Sequence, residues 1–506
     1  MSYTKFLEKW KEIALLDHMA ELLAWDQETY MPKGETESRA EQIELAASLV
    51  HERLVDNELY DILRQLEAEK FSESASSGPR MRANIREALE SVKFARALPA
   101  DLVAALAKET SLASEVWQKA RKENSFKDFA PALKKIISFS QEKAAAYMAA
   151  GIGSSLYEAL FFENEDGITM AEVDAIFNKL RAELPPLVKT VLSLEPPDDS
   201  FLFKYYPKEL QEKVSREIVT AMGLDWNSCR LDISTHPFTC STAYASPRIT
   251  YRFDENDLTN SLFSVIHETG HALYEQGLPK EWAYQPIGNA CGMSVHESQS
   301  RFWEAWLGRS HRFWVIFYPK LRDNFPEQLR GITEYRFYRA INRAKPGFIR
   351  TNGDPLTYNL HILLRYDIEK MMINNEVSVD ELPSVWNELF KKYFGLDVPD
   401  DRQGVLQDSH WSCGEIGYFP TYTLGNIISA QLYEKMSENV ELWYSALKDG
   451  GFYETKKWLV NKVHKYGSFY KMQELVKNAT GQTISADVFM AQLRKRYSQV
   501  YNINLN

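Results

Sequence analysis

Apolar positions recur every three to four residues along most of this chain. Between residues 4 and 24, Phe6, Trp10, Ile13, Leu16, Met19, Leu22 and Leu23 follow the 3.6-residue period, which predicts an amphipathic helix. The same pattern predicts helices near 36–54, 56–72, 79–94, 99–120, 126–149 and 170–194. Turn chemistry separates them, as in SESASSGP at 72–79 and EPPDD at 195–199. The period changes within 229–253, where Arg248, Thr250 and Arg252 alternate with Ile249, Tyr251 and Phe253. Alternation of that kind predicts a strand, so a small sheet is expected inside an otherwise helical chain. Helix resumes after 259 and runs to the C-terminus, with loops near 344–358 and 398–425. The predicted class is mainly α.

Composition narrows the function more than the fold. Across 506 residues, 44% hydrophobic and 25% charged content sit at globular averages, which excludes disorder and coiled-coil rods. A net charge of −11 gives no electrostatic footprint for nucleic acid or an anionic membrane, so small molecules or peptides are the expected partners. The four cysteines, Cys229, Cys240, Cys291 and Cys413, form no CxxC pair and read as free thiols of a reducing compartment. The first residues are charged and helically periodic, unlike a secretory leader, and no apolar run approaches the ~18 residues of a membrane span. A cytoplasmic location is expected.

The strongest chemical signal is His267-Glu268-Thr269-Gly270-His271, inside NSLFSVIHETGHALYEQG. Asn260 and Gly277 are placed to cap a helix there. On that helix the two imidazoles, four residues apart, share a face and can reach one cation. Glu268, rotated about 100° away, suits the proton-transfer role beside a metal such as zinc. Two buried histidines flanking a glutamate are costly without a metal or other partners. A catalytic metal needs a third protein ligand, and the next helical stretch, 292–310, offers His296, Glu297 and Glu304. Spacing leaves that choice open. Cobalt or manganese would also fit a His/His/carboxylate set.

Seven of the ten histidines fall between His236 and His410. His236, in a Thr-His-Pro-Phe turn, and His410, in a polar aromatic loop, lie where scaffolds carry function. His361 sits on an apolar helical stripe and reads as structural, and Cys291 as a packed thiol.

These residues, taken together, resemble the thermostable carboxypeptidase 1 family of zinc metallocarboxypeptidases, Glu-zincins of the neurolysin-like helical class. Six motifs in order carry the resemblance: HPF at 236–238, SPRIT at 246–250, HETGH at 267–271, HESQ at 296–299, IRTNGD at 349–354 and GVLQDSHW at 404–411. The resemblance implies a large, two-lobed helical metallopeptidase with a small antiparallel sheet beside the active-site helix and a deep central groove. It implies Glu297 as third ligand beside His267 and His271, with Glu268 as general base. It implies Arg350 as the grip on a peptide's terminal carboxylate, Arg248 at a matching motif position, and His410, Tyr418 and Tyr422 as substrate or transition-state ligands. His236 is included among the substrate-binding candidates. Single residues would be released from peptide C-termini with broad specificity, by a homodimer.

On this reading the chain is one catalytic domain, 1–506. An N-terminal helical lobe takes 1–225, the metal site, sheet and substrate loops 226–430, and the C-terminal helices 431–506. Two positions depart from the family pattern: Ser246 stands for the usual Asp and Gly353 for the usual Ala. Losing a carboxylate two residues from Arg248 removes a partner that would hold its guanidinium still, so a looser clamp is expected. Rival readings are an endopeptidase on the same scaffold and a non-catalytic peptide-binding helical protein. An intact Glu268 argues against the second, because a closed structural metal site has no use for a base.

Overall fold

A computed structural model describes residues 2–69, 78–234 and 236–505. Those residues form 20 α-helices and one three-stranded sheet, a mainly helical architecture. The seven helices expected in the first two hundred residues are all present, at Ser2–Thr29, Thr36–Leu54, Asn57–Ala68, Gly78–Ala97, Ala100–Glu123, Phe126–Ala149 and Met170–Leu192. An eighth, Leu156–Phe162, escaped the pattern because its middle residues, Tyr157 to Phe161, are all buried. A segment without a polar face shows no period. Of the turn expected at 72–79, residues 72–77 lie outside the described residues.

The strands are β1 (Arg230–Ile233), β2 (Thr239–Ser241) and β3 (Pro247–Tyr251), ordered β1-β3-β2. β3 runs parallel to β1, with Arg230 opposite Arg248, and antiparallel to β2, with Thr239 opposite Ile249. The expected antiparallel sheet is therefore mixed. The short connection 242–246 forces β2 and β3 to oppose one another, while β1 arrives on the far side of β3. As the central strand, β3 buries Ile249, Thr250 and Tyr251 almost completely.

The chain divides into two compact units, each assembled from three stretches. The first comprises Met1–Ala95, Pro197–Ile341 and Gly425–Ser485, and the second Arg96–Pro196, Asn342–Leu424 and Ala486–Asn506. These divisions cut across the consecutive stretches ending at 225 and 430. In the first unit, Phe6 and Trp10 pack with Leu59, Leu63, Ile85 and Val92. The second is organised around the buried helix Tyr358–Ile373, where Tyr366 packs against Phe177 and Tyr157.

The helix bearing HETGH runs Leu258–Gly277 in the first unit. Its N-cap is Asp257 rather than Asn260: the Asp257 carboxylate accepts from the backbone N–H groups of Thr259 (2.9 Å) and Asn260 (3.2 Å). Starting three residues earlier adds the buried Leu258 to the helix. Gly277 is the last helical residue rather than a cap beyond the end, and its missing side chain makes room for the buried His464 ring.

Candidate active site

Helical spacing does the first part of the assembly. His267 and His271 present their Nε2 atoms to one carboxylate oxygen, Glu297 Oε2, which lies 3.5 Å from each. Potential ligand atoms of His267, His271 and Glu297 all fall within 4.8 Å of one another. Glu297 comes from the helix Gly292–Arg301, which crosses the HETGH helix at very close range. Gly270 permits that crossing, since a side chain there would stand 2.5 Å from the Ser300 backbone. The glycine between motif Thr and His thus has a packing reason.

Both imidazoles are held from behind, by different means. His267 Nδ1 meets Glu304 Oε2 at 3.1 Å, and Glu304 in turn accepts from Arg301 at 2.6 Å. Glu304 lies in a π-helical turn, Phe302–Leu307, a winding found often at functional sites. His271 Nδ1 meets a second imidazole, His296 Nδ1, at 2.6 Å, and His296 Nε2 faces Glu275 Oε1 at 2.9 Å. With His271 Nε2 turned to a metal, the proton pattern follows: His271 donates through Nδ1 to His296, which donates through Nε2 to Glu275. Ser241 Oγ donates to the other Glu275 oxygen. His296 and Glu304, left open as ligands by spacing, therefore stand one shell outside the cluster. Glu268 is 8% exposed, and its Oε2 accepts from Thr239 Oγ1 at 2.7 Å.

The electrostatics fit a cation. Burial by itself would lower His267, yet Glu297, Glu304 and Glu268 outweigh it and push the ring up to about 9. Burial keeps His271 below its ordinary value. Burial opposes ionisation of Glu297, but His267 and His271 hold it down at about 2. A cluster that draws a proton onto a half-buried imidazole is short of positive charge. Two imidazole nitrogens and a carboxylate are a donor set that suits zinc.

The second unit contains a different cluster. Arg350 is buried; its Nε donates to Asp408 Oδ1 at 2.9 Å, its Nη2 lies 2.9 Å from the same oxygen, and its Nη1 donates to Tyr358 Oη at 3.1 Å. Its Cζ stands 5.0 Å over the Tyr422 ring. Arg365, fully buried, donates to the other Asp408 oxygen from Nε (2.7 Å) and Nη2, and packs its guanidinium on Trp386. Burial notwithstanding, Arg350 and Arg365 hold Asp408 well below the usual carboxylate range. His410 Nε2 meets Tyr422 Oη at 3.3 Å, and the rings of Tyr418 and Tyr422 are edge-on at 5.2 Å. Burial and Arg350 pull His410 down to about 3, so its imidazole is neutral at ordinary pH.

The remaining expected residues are placed apart from these groups. His236 is exposed in the loop between β1 and β2. Arg248, on β3, lies with its guanidinium 5.7 Å from the Trp25 ring, and its buried Nε has no hydrogen-bond partner. Asp232 is the neighbouring carboxylate, but both its oxygens accept from Arg230 at 2.7 Å. Ser246 precedes the strand. His361 is fully buried against Phe390 and Phe394, and Cys291 is a packed thiol facing the Tyr470 carbonyl. Thr239, Glu275, Arg301, Asp408 and Arg365 were not singled out from sequence. Asp408 and Thr239 lay in or beside quoted motifs; the others carried no local signal.

A helical scaffold presenting two histidines four residues apart, a glutamate between them and a carboxylate from the following helix has the groups of a metallopeptidase. The profile of the carboxypeptidase Taq (M32) metallopeptidase family matches residues 5–497, and the chain belongs to that family. It is 36% identical to thermostable carboxypeptidase 1 of Thermus thermophilus over 99% of both chains. It is also 36% identical to carboxypeptidase 1 of Bacillus subtilis over 98% of both. The M32 carboxypeptidase from Deinococcus radiodurans superposes with a TM-score of 0.94 at 34% identity, covering 99% of this chain and all of that one. The chain is accordingly a metallocarboxypeptidase, a hydrolase of peptide bonds. No helix among the described residues is long and apolar enough to cross a membrane.

Proposed function

We propose that the protein is a zinc carboxypeptidase that removes single residues from peptides bearing a free C-terminal carboxylate, with broad side-chain tolerance. The observation that carries this is the buried pair Arg350 and Arg365, which bond one carboxylate between them, Asp408. Burying a guanidinium is costly without a counter-ion, so the pair has capacity for a second anion. A peptide terminus supplies one, and the planar fork of Arg350 binds it bidentately. An endopeptidase has no use for that arrangement.

His267, His271 and Glu297 hold the metal, and zinc is the ion their N/N/O donors suit, with cobalt or manganese as substitutes. Such an ion supplies Lewis acidity toward a carbonyl oxygen and acidifies water toward a pKa of about 7. Glu268 takes the proton of the attacking water on its carboxylate and returns it to the departing amine. Thr239, by bonding Glu268 Oε2, fixes which oxygen is free to do so. Neutral His410 and the Tyr422 hydroxyl act as hydrogen-bond donors to the developing oxyanion rather than as acids. Tyr418, His236 and Arg248 contribute to substrate binding. The main-chain groups of edge strand β2 offer sequence-independent pairing to an extended peptide. The enzyme works in the cytoplasm, a reading its four free cysteines support, and as a homodimer, a reading that rests on the family resemblance and is tested by light scattering on the purified protein.

The deciding experiment uses matched peptides with free and amidated C-termini, followed by mass spectrometry, with a chelator and Glu268→Gln as controls. Stepwise loss of terminal residues from the free peptide alone, abolished in both controls, is expected. Internal cleavage of both peptides would overturn the reading in favour of an endopeptidase.

A further inference from the structure

The helix Tyr358–Ile373 is buried along most of its length, yet it carries Tyr358, His361, Arg365 and Glu369 at intervals of three and four residues, on one face. Tyr358 and Arg365 serve the arginine cluster already described. Glu369 lies one turn beyond Arg365 and bonds to other groups. Its fully buried carboxylate accepts three hydrogen bonds: Oε1 from Trp411 Nε1 (3.0 Å), and Oε2 from Tyr157 Oη (2.8 Å) and the Gly417 backbone N–H (3.1 Å). An indole N–H and a backbone N–H can only donate, so the carboxyl oxygens of Glu369 serve as the acceptors that both contacts require. Burial works against ionisation and pushes Glu369 up to about 7. An apolar side chain would fill the same space without that penalty.

Two of the three donors come from one short segment. Trp411 directly follows His410, and Gly417 directly precedes Tyr418. Between them the chain folds back on itself, with the N–H groups of Cys413 and Glu415 donating to the His410 carbonyl at 3.1 and 2.9 Å. Gly417 has a φ of +87°, and a side chain there would lie 2.8 Å from the Phe161 backbone nitrogen. Its peptide is thus wedged in place. We propose that Glu369 is a positioning residue: by tying down Trp411 and Gly417 it pins both ends of the turn 411–417 and sets where His410 and Tyr418 stand. The proposal rests on the carboxypeptidase reading, in which His410 assists the transition state.

The test is steady-state kinetics on a free-carboxylate peptide for the metal-loaded wild type and a set of variants. Glu369→Gln keeps the shape but turns an N–H donor toward other donors; kcat is expected to fall about 10- to 100-fold with KM within about 3-fold. In a His410→Ala background the same substitution should cost less than about 3-fold, because its effect passes through His410. Tyr157→Phe removes the donor that lies outside the turn, and should lower the melting temperature while leaving kcat within about 3-fold. Should Glu369→Gln fail to fold, Trp411→Phe breaks the same link more gently and should still lower kcat. Equal kcat losses for Tyr157→Phe and Glu369→Gln, or full additivity with His410→Ala, would reduce Glu369 to a structural tie and overturn the proposal. A wild type that releases no C-terminal residues would overturn the underlying reading instead, before any variant is compared.

Discussion

The two buried charge clusters of this enzyme are unbalanced in opposite directions. Around the histidine pair, Glu268, Glu275, Glu297 and Glu304 outnumber the two guanidiniums that pair with them, Arg301 and Arg309. In the second unit, Arg350 and Arg365 outnumber the one carboxylate they bond, Asp408. Each imbalance is a liability for folding and a specification for binding. The first has capacity for a cation, the second for an anion. The clusters also differ in how they are built. The first draws its metal-facing groups from consecutive helices close in sequence, whereas the second joins residues 43 and 58 positions apart.

Substitutions on each side should separate these roles. The largest effect belongs to Glu268→Gln, which should lower kcat by about a thousandfold or more while metal content, read by atomic absorption, stays at one ion per chain. Arg350→Gln should reduce kcat/KM on free-carboxylate peptides by about 100-fold with metal content unchanged; a loss under about 3-fold would refute the anion-binding role. Glu304→Gln should weaken zinc affinity about 10- to 100-fold in chelator competition, and Glu275→Gln should weaken it less, because its influence passes through His296.

A smaller effect concerns pH. Burial raises Glu369 to about 7 from an ordinary 4.5, so the native state favours its protonated form. That stabilisation is complete below the ordinary carboxylate range and disappears as pH rises through about 7. Relative to Glu369→Gln, the wild type should therefore lose about 3 kcal/mol between those limits, measured by denaturant unfolding across pH. Parallel curves would show that the penalty is absent. The smallest shift is expected for Ser246→Asp, which should change KM by less than about 3-fold, since Arg248 already packs on Trp25 and has Asp232 nearby. A larger gain would mean that the clamp is indeed loose.

Most of the N-terminal helices were legible because each keeps one buried and one exposed face, whereas Leu156–Phe162, buried through its middle, was not. The sheet was less so: β1 and β2, at four and three residues, are too short to display a period, and only β3 announced itself. Reading along the chain could not foresee that each compact unit interleaves three distant stretches. Within the site, His267, Glu268 and His271 followed from helical geometry, whereas Glu297 was separable from His296 and Glu304 only through family resemblance. Spacing could not separate them because all three lie against the same histidine pair. Thr239, Arg365 and Glu369 were invisible for another reason. Their roles are set by partners 29 to 212 residues away, and a lone threonine, arginine or glutamate carries no local mark of such a pairing.

The π-helical turn at Phe302–Leu307 separates two properties that substitution would alter together. Glu297 lies before it and Glu304 within it. Deleting one residue at this turn would restore ordinary winding and, because Glu304 lies inside the turn, shift that carboxylate relative to His267, while Glu297 kept its place. Metal capture and the buttressing of its ligand can thus drift apart through a change in chain length alone. Insertions and deletions at this turn are therefore the route by which the enzyme's metal affinity could be retuned without touching a single ligand.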